Sequence, residues 1–305
     1  MMKFLKILIL KLLGPMIKHI KDGNEELKSI LIEKLDRDTR SCTNGILQIH
    51  LYNFYRSGIK NGSNFNINET GFRNFSQFEE DGLILYVLAV IGIKHRTFVD
   101  IGSANGVNSN CANLAINFGF HGLFIDGNKE NIQQGRAFYA HHPDTSLFPP
   151  IFVNSFVQKE NINQIIEEND FKEEIDVLSI DIDGNDYWIW EALEIIRPRV
   201  VIIETHIELG EDSIVVPYDK NHSYPNEDNP DYFGASGPAM CNLAKTKGYR
   251  LVGCNRYGFN TIFVREKEGE EELPEIPVES LFTHPRYQKH KELYKMLKDK
   301  KFINV

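Results

Sequence analysis

Residues 98–106 read FVDIGSANG: an apolar run of Phe98, Val99 and Ile101, interrupted by Asp100 and closed by Gly102 and Gly106. β-Branched and aromatic residues favour a strand, and the glycines open backbone angles that other residues avoid. The stretch that follows, NSNCANLAINFG, is compatible with a helix, expected over 107–118. A strand, a tight glycine turn and a helix N-terminus, in that order, can turn backbone N–H groups toward a ligand. The same string also serves as an ordinary βα turn, so alone it does not separate a binding loop from a connection.

The surrounding sequence supplies the context. An apolar helix is expected from Gln77 to Ile93, ahead of the motif. Strands are expected at 97–101, 122–126, 150–155, 175–181 and 199–206, alternating with helices at 107–118, 128–142, 160–169 and 186–196. A helix over 235–248 then leads into two close strands, YRLVGC and NTIFVR, joined by NRYGFN. Alternating strands and helices imply βαβ units and a mostly parallel sheet covered on both faces. The near-uniform apolarity of the strands agrees with burial on both sides. The last two strands are too close for a crossover and form an antiparallel hairpin at the C-terminal edge. The expected fold is therefore α/β: a doubly wound, Rossmann-like sheet, mostly parallel, with a C-terminal antiparallel hairpin. The hairpin excludes a plain flavodoxin-like layout, and five βα units are too few for a barrel of eight.

Composition sets the outer bounds. The 305 residues are 42% hydrophobic and 25% charged, as in ordinary globular proteins, and the formal net charge of −9 argues against nucleic acid as a partner. Cys42, Cys111, Cys241 and Cys254 form no CxxC pair or zinc-type cluster, so a reducing, cytoplasmic location is the simpler expectation. The N-terminus, MMKFLKILILKLLGPMIKHIKDGN, is interrupted by Lys3, Lys6 and Lys11, short of the roughly 20 apolar residues of a spanning helix. On a helix its lysines fall on one side and its leucines and isoleucines on the other, with a break at Pro15. That face would pack on the main domain or a second subunit, as in a homo-oligomer, or rest peripherally on an anionic membrane. The expected organisation is an N-terminal helical and loop extension over 1–75, a core domain over 76–266 and a helical tail over 267–305.

In a doubly wound sheet the ligand lies beyond the carboxyl ends of the strands. The polar residues gather there: Asp100, Gly102, Ser103 and Gly106 after the first strand, Asp126 after the second, Asn154 and Ser155 after the third, Asp181 and Asp183 after the fourth, Glu204 and His206 after the fifth. An acid in the place of Asp126 can accept hydrogen bonds from both hydroxyls of a ribose. The turn is Gly102-x3-Gly106 and lacks the GxGxxG spacing of dinucleotide sites, which counts against NAD or FAD.

Several blocks resemble those of class I S-adenosylmethionine (SAM)-dependent methyltransferases, and more narrowly the FkbM-like methyltransferases of bacterial and viral glycan gene clusters. They are SQFEEDGLI (76–84), DIGSANG, the acid of GLFID, DIDGNDYWIW (181–190), VIIETH (201–206), VPYD (216–219), YFGAS (232–236) and GYRLVGCNRYGFNTIFVR (248–265). The resemblance runs over about residues 70–266. It implies an O-methyltransferase acting on a sugar hydroxyl, or a carboxyl group, of a glycan or its precursor. Carried over by position, Gly102, Ser103 and Gly106 line the methionine and ribose of SAM, and Asp126 holds the ribose. Gln77, Asp81 and Asp100 border the amino-acid end, Asn154, Ser155 and Phe156 the adenine, and Asp181 is counted among the cofactor-binding residues.

A sugar hydroxyl is a weak nucleophile and needs a base or a metal at its proton. Asp183, Glu204 and His206 are the expected catalytic set. They either bind a divalent cation, Mg²⁺ or Mn²⁺, or work with His206 as proton acceptor. Asp186 is expected to hold the turn before its helix. Tyr187, Trp188 and Trp190 are expected to pack, whereas Tyr218, Tyr224, Tyr232 and Phe233 would line a lid over the acceptor. Two other readings stand beside this one: a catalytically inactive SAM-fold binding module, and a Rossmann NAD(P)-dependent oxidoreductase.

Overall fold

The computed structural model describes residues 45–222, 231–297 and 299–305. The lysine-bearing helix expected over 1–21, Cys42 and Tyr224 lie outside the described residues. Contacts divide the chain between His50 and Leu51, and the sheet and the site belong to the second unit.

The seven strands of the main sheet are β1 Thr97–Ile101, β2 His121–Asp126, β3 Ile151–Asn154, β4 Glu173–Ile180, β5 Ile196–Glu204, β7 Tyr249–Cys254 and β8 Asn260–Arg265; the short β6, Ile214–Val215, lies apart. Their order is β3-β2-β1-β4-β5-β8-β7. β1 to β5 run parallel, and β8 runs antiparallel to both β5 and β7. This is the doubly wound, mostly parallel sheet with a C-terminal antiparallel hairpin that the pattern of alternation anticipates. The later strand of the hairpin is the inner one, so β8 lies directly against β5, with Asn260 opposite Glu204. The chain winds outward from β1 in one direction and from β4 in the other, which makes the β1/β4 boundary the topological switch point.

Helices α1 Glu80–Ile91, α2 Ala112–Phe118, α3 Lys129–His141, α4 Ile162–Glu168, α5 Asp186–Ala192, α6 Gly237–Lys247 and α7 Pro285–Leu297 cover the faces and edges. α3 opens on Asn128, whose side chain accepts the Asn131 N–H, and α6 opens on Ser236, which accepts that of Ala239. α2 starts five residues later than the sequence suggests. Ser109 Oγ donates to the buried Asp100 carboxylate and accepts the Cys111 N–H at 3.1 Å, a local bond that holds 107–111 out of the helix.

Alternation along β1 splits the core in two. Val99 and Ile101 join a cluster with α5 and α6, and Phe98 joins one with α1 and α2. Residues beyond 267 pack onto the same unit: Leu281, Phe282 and Tyr287 are buried in the first cluster, and β9, Ile303–Asn304, pairs with β6. At the amino end of the sheet the fully buried Arg199 bridges Asp176 at 2.8 Å and Glu268 at 2.6 Å, and donates to the carbonyl of Ile91 at 2.8 Å. Among the described residues no helix is long and apolar enough to cross a membrane.

Candidate active site

The glycine turn is dictated by close approach. Gly102 has φ +82°, and a Cβ there would lie 1.8 Å from the Asp181 carbonyl oxygen, so β1 and β4 meet only because this residue has no side chain. The N–H groups of the turn are engaged within the fold. Gly102 and Ser103 donate to Ile125 O, Ala104 donates to Asp126 Oδ2 at 2.9 Å, and Gly106 donates to Ser103 O at 2.8 Å. The expected row of N–H groups facing a ligand is thus replaced by a turn whose donors are satisfied internally.

That turn forms one wall of a cleft of about 510 Å³ at the carboxyl ends of β1, β2 and β4. Gly102, Asp126, Ser155, Phe156, Asp181 and Asp183 all line it. Asp126 closes β2, half-buried; its Oδ1 accepts the Asn128 N–H at 2.7 Å and its Oδ2 that of Ala104. Each oxygen keeps a second lone pair for another donor. Phe156 is 53% exposed, an unusual state for a ring, and lies against Gly127 at the mouth. Asn154 is not in the lining: its amide donates to Asp126 O and Gly127 O at 3.0 and 2.9 Å and holds the β2–α3 turn in shape. Ser103 and Gly106 are buried behind the turn, and Gln77 is exposed outside the cleft lining.

Asp81 and Asp100 lie deeper. Asp81 Oδ2 accepts the N–H groups of Asn74, Phe75 and Ser76 at 2.6–2.8 Å, winding the chain into the start of α1. Its Oδ1 is buried without a partner. Burial pushes both carboxyls up to about 6, against the hydrogen bonds that favour their charge. The neighbouring Glu80, not singled out in the sequence, is fully buried; its Oε1 accepts the amides of Asn255 and Asn260, both at 2.9 Å, tying α1 to the hairpin. Its adjacency to Asp81 in the EED string was the available signal, but nothing in the string says which acid points where.

Asp181, Asp183 and Glu204 bring one oxygen each within 4.8 Å of one another, the one such group among the described residues that could hold a metal. Of the expected set, Asp183 and Glu204 are in this group; Asp181 is the third member and His206 is not in it. The His206 ring is buried, 3.6 Å from Glu208 through Nε2 and edge-on to Phe233 at 4.3 Å. Burial first, then the repulsion of the surrounding carboxylates, raises Asp181 and Glu204 well above the usual range, and burial raises Asp183. Asp186 plays the turn-holding part expected of it, accepting the N–H groups of Ile182 and Gly184, each at 2.8 Å.

Of the aromatic residues expected in a lid, Tyr218 and Tyr232 make contacts within the fold. Tyr218 donates to Glu160 at 2.9 Å and meets Trp188 edge-on, and Tyr232 packs on Phe302. Tyr187, Trp188 and Trp190 are buried, as helix packing requires. His222, which carried no signal in the sequence, lines the cleft with Nε2 2.7 Å from the Asp183 carbonyl oxygen. Gly184 makes room for it, since a Cβ there would lie 2.2 Å from the imidazole.

No family model matches the chain, and no curated protein does. Among solved structures, the chain is similar to the O-methyltransferase from Bacillus cereus in complex with S-adenosylhomocysteine (SAH): 16% identity and TM-score 0.41, over 64% of this chain and 83% of that one. It is similar to the methyltransferase domain of bacterial CtHen1-C at 13% identity and TM-score 0.41, over 66% and 99%. It is similar to magnesium protoporphyrin IX methyltransferase from Synechocystis at 11% identity and TM-score 0.38, over 61% and 78%. These likenesses concern the fold.

Proposed function

We propose that the chain is a SAM-dependent O-methyltransferase whose acceptor is a sugar hydroxyl of a glycan or glycan precursor. The observation that carries this reading is the meeting, at one strand edge, of a ribose-type acid and a three-carboxylate cluster. Asp126, Phe156, Asp181 and Asp183 line the cleft, and Glu204, outside the lining, completes the carboxylate group. The volume of about 510 Å³ falls in the ~300–1,000 Å³ range of ligand pockets.

The donor set fits SAM. Asp126 retains acceptor capacity for the ribose hydroxyls, and Phe156 offers an exposed ring to the adenine. Asp81 Oδ1 is buried and unpartnered at the start of α1, outside the cleft lining; the resemblance puts this acid near the amino-acid end of SAM. When bound, SAM supplies an activated methyl: the acceptor oxygen takes it as the sulfonium sulfur keeps the bonding electron pair and the hydroxyl proton leaves.

The chain's own part is to position the hydroxyl and receive that proton. Three hard oxygen donors at this spacing suit Mg²⁺ or Mn²⁺, which would offset the mutual repulsion that raises their pKa values and would acidify the hydroxyl. Without an ion, Glu204 or Asp183 in its ionised form takes the proton.

The test is transfer of a radiolabelled methyl from SAM to a panel of glycans, with EDTA and with Mg²⁺ or Mn²⁺ restored. Glu204→Gln and Asp183→Asn slow transfer at least 100-fold with SAH affinity retained. Full turnover in either variant overturns the assignment.

A further inference from the structure

A second and larger cleft, about 790 Å³, lies at the far corner of the same carboxyl edge, between the 64–71 segment, the end of β7 and the 271–283 segment. We infer that it holds the sugar units adjoining the methylated one, and that the acceptor is an oligosaccharide carrying no phosphate or carboxylate on those units. This rests on the methyltransferase reading above.

Its position comes first. Asn255 lines the cleft, and its amide is bonded to Glu80, which also takes the amide of Asn260. Asn260 is the register partner of Glu204. The cleft is therefore linked, through a single carboxylate, to the strand position beside the acid cluster. β7 and β5 are two strand spacings apart, about 10 Å. That is more than one ring spans, so a ligand touching both needs at least two units.

A platform lies along the way. Phe78, Tyr257 and Phe259 are half-buried and mutually packed, with ring centroids 4.9 Å apart for Phe78 and Tyr257 and 5.4 Å for Phe78 and Phe259. Phe259 adjoins the acid cluster through its carbonyl, which accepts the Thr205 N–H at 2.6 Å, one residue past Glu204. Tyr257 lies between Arg256 and Gly258, both in the cleft lining. Phe78, Tyr257 and Phe259 adjoin the lining residues Glu79, Arg256 and Gly258 in sequence, and half-buried rings beside a polar cleft suit the apolar faces of pyranose rings.

The charge of the lining sets the selectivity. Four carboxylates, Glu69, Glu79, Glu271 and Glu272, face a single guanidinium, Arg256. That cation is already held by Glu79 at 3.0 Å. The remaining polar groups include the amides of Asn64, Asn66 and Asn68, which pair with hydroxyls without regard to charge. Phosphates and uronic acids would meet an uncompensated negative field, whereas neutral or amino sugars would not. A nucleoside diphosphate in this cleft is disfavoured on the same ground.

The experiment uses the full chain, labelled and saturated with SAH, on an array of neutral, amino, sialylated and uronic-acid oligosaccharides. UDP-glucose and UDP-N-acetylglucosamine are titrated separately by calorimetry. Expected are bound spots among neutral or amino oligosaccharides, and no heat with either UDP-sugar. Tyr257→Ala lowers the bound signal at least tenfold. Glu271→Lys with Glu272→Lys shifts preference at least fivefold toward sialylated glycans, and both variants keep SAH affinity within twofold. If SAH binds but the array stays blank, or acidic glycans or UDP-sugars bind best, or charge reversal leaves preference unchanged, the inference falls while the methyltransferase reading stands. Failure of SAH itself to bind overturns both.

Discussion

Both oxygens of the Asp126 carboxylate already hold the chain, one through Ala104 and one through Asn128, so the residue shapes the cleft before it meets any ligand. On the proposed function, Asp126→Ala removes two charged acceptors from the ribose, and at roughly 1.5–3 kcal/mol per hydrogen bond to a charged group SAH affinity falls at least tenfold in calorimetry. Far-UV circular dichroism stays that of the parent, because the residue ends a strand outside the core. Glu204→Gln behaves oppositely: it is expected to lift the thermal midpoint at pH 8 by relieving the repulsion that raises Asp181 and Glu204, and to slow transfer at least 100-fold. At this scale the sequence told which residues end strands but not where their side chains go. The position of Asp126 was legible because it follows from the end of β2. That of the His206 ring was not: its pairing with Glu208 is a tertiary fact.

The elements were more legible than the side chains. All five parallel strands and the hairpin stand where apolar runs and glycine turns placed them, since burial on both faces leaves a strong pattern. The late start of α2 was hidden because it depends on Ser109 meeting a buried Asp100 across the turn. The tight β1–α2 turn gives a sharp test: Gly102→Ala forces a Cβ into the Asp181 carbonyl and lowers the yield of folded protein and the denaturant midpoint together. At the other end of β5, Arg199→Met strands the buried Asp176 and half-buried Glu268 without their cation and costs about 3–5 kcal/mol in urea unfolding, far more than an exposed ion pair.

Across the whole molecule the buried acids set the dependence of stability on pH. Asp81, Asp100 and Asp186 are each raised by burial from 3.8 to about 6. The folded state therefore binds more protons than the unfolded one between those values, and stability falls as pH rises through that window. Glu268 is lowered to about 2, chiefly by Arg199, so its contribution is lost as pH drops below 4.5. Thermal midpoints are expected to rise from pH 8 to about pH 5 and to fall again below pH 4. A monotonic rise toward pH 8 would contradict the buried-acid account. Mg²⁺ at pH 8 should recover part of the lost midpoint in the parent and none in Asp183→Asn. The most direct test of the central claim is calorimetric titration of the full chain with SAH and, separately, with NADH. The account predicts one SAH site, weakened at least tenfold in Asp126→Ala, and no heat with NADH. No SAH binding, or an NADH site sensitive to Asp126→Ala, would contradict it.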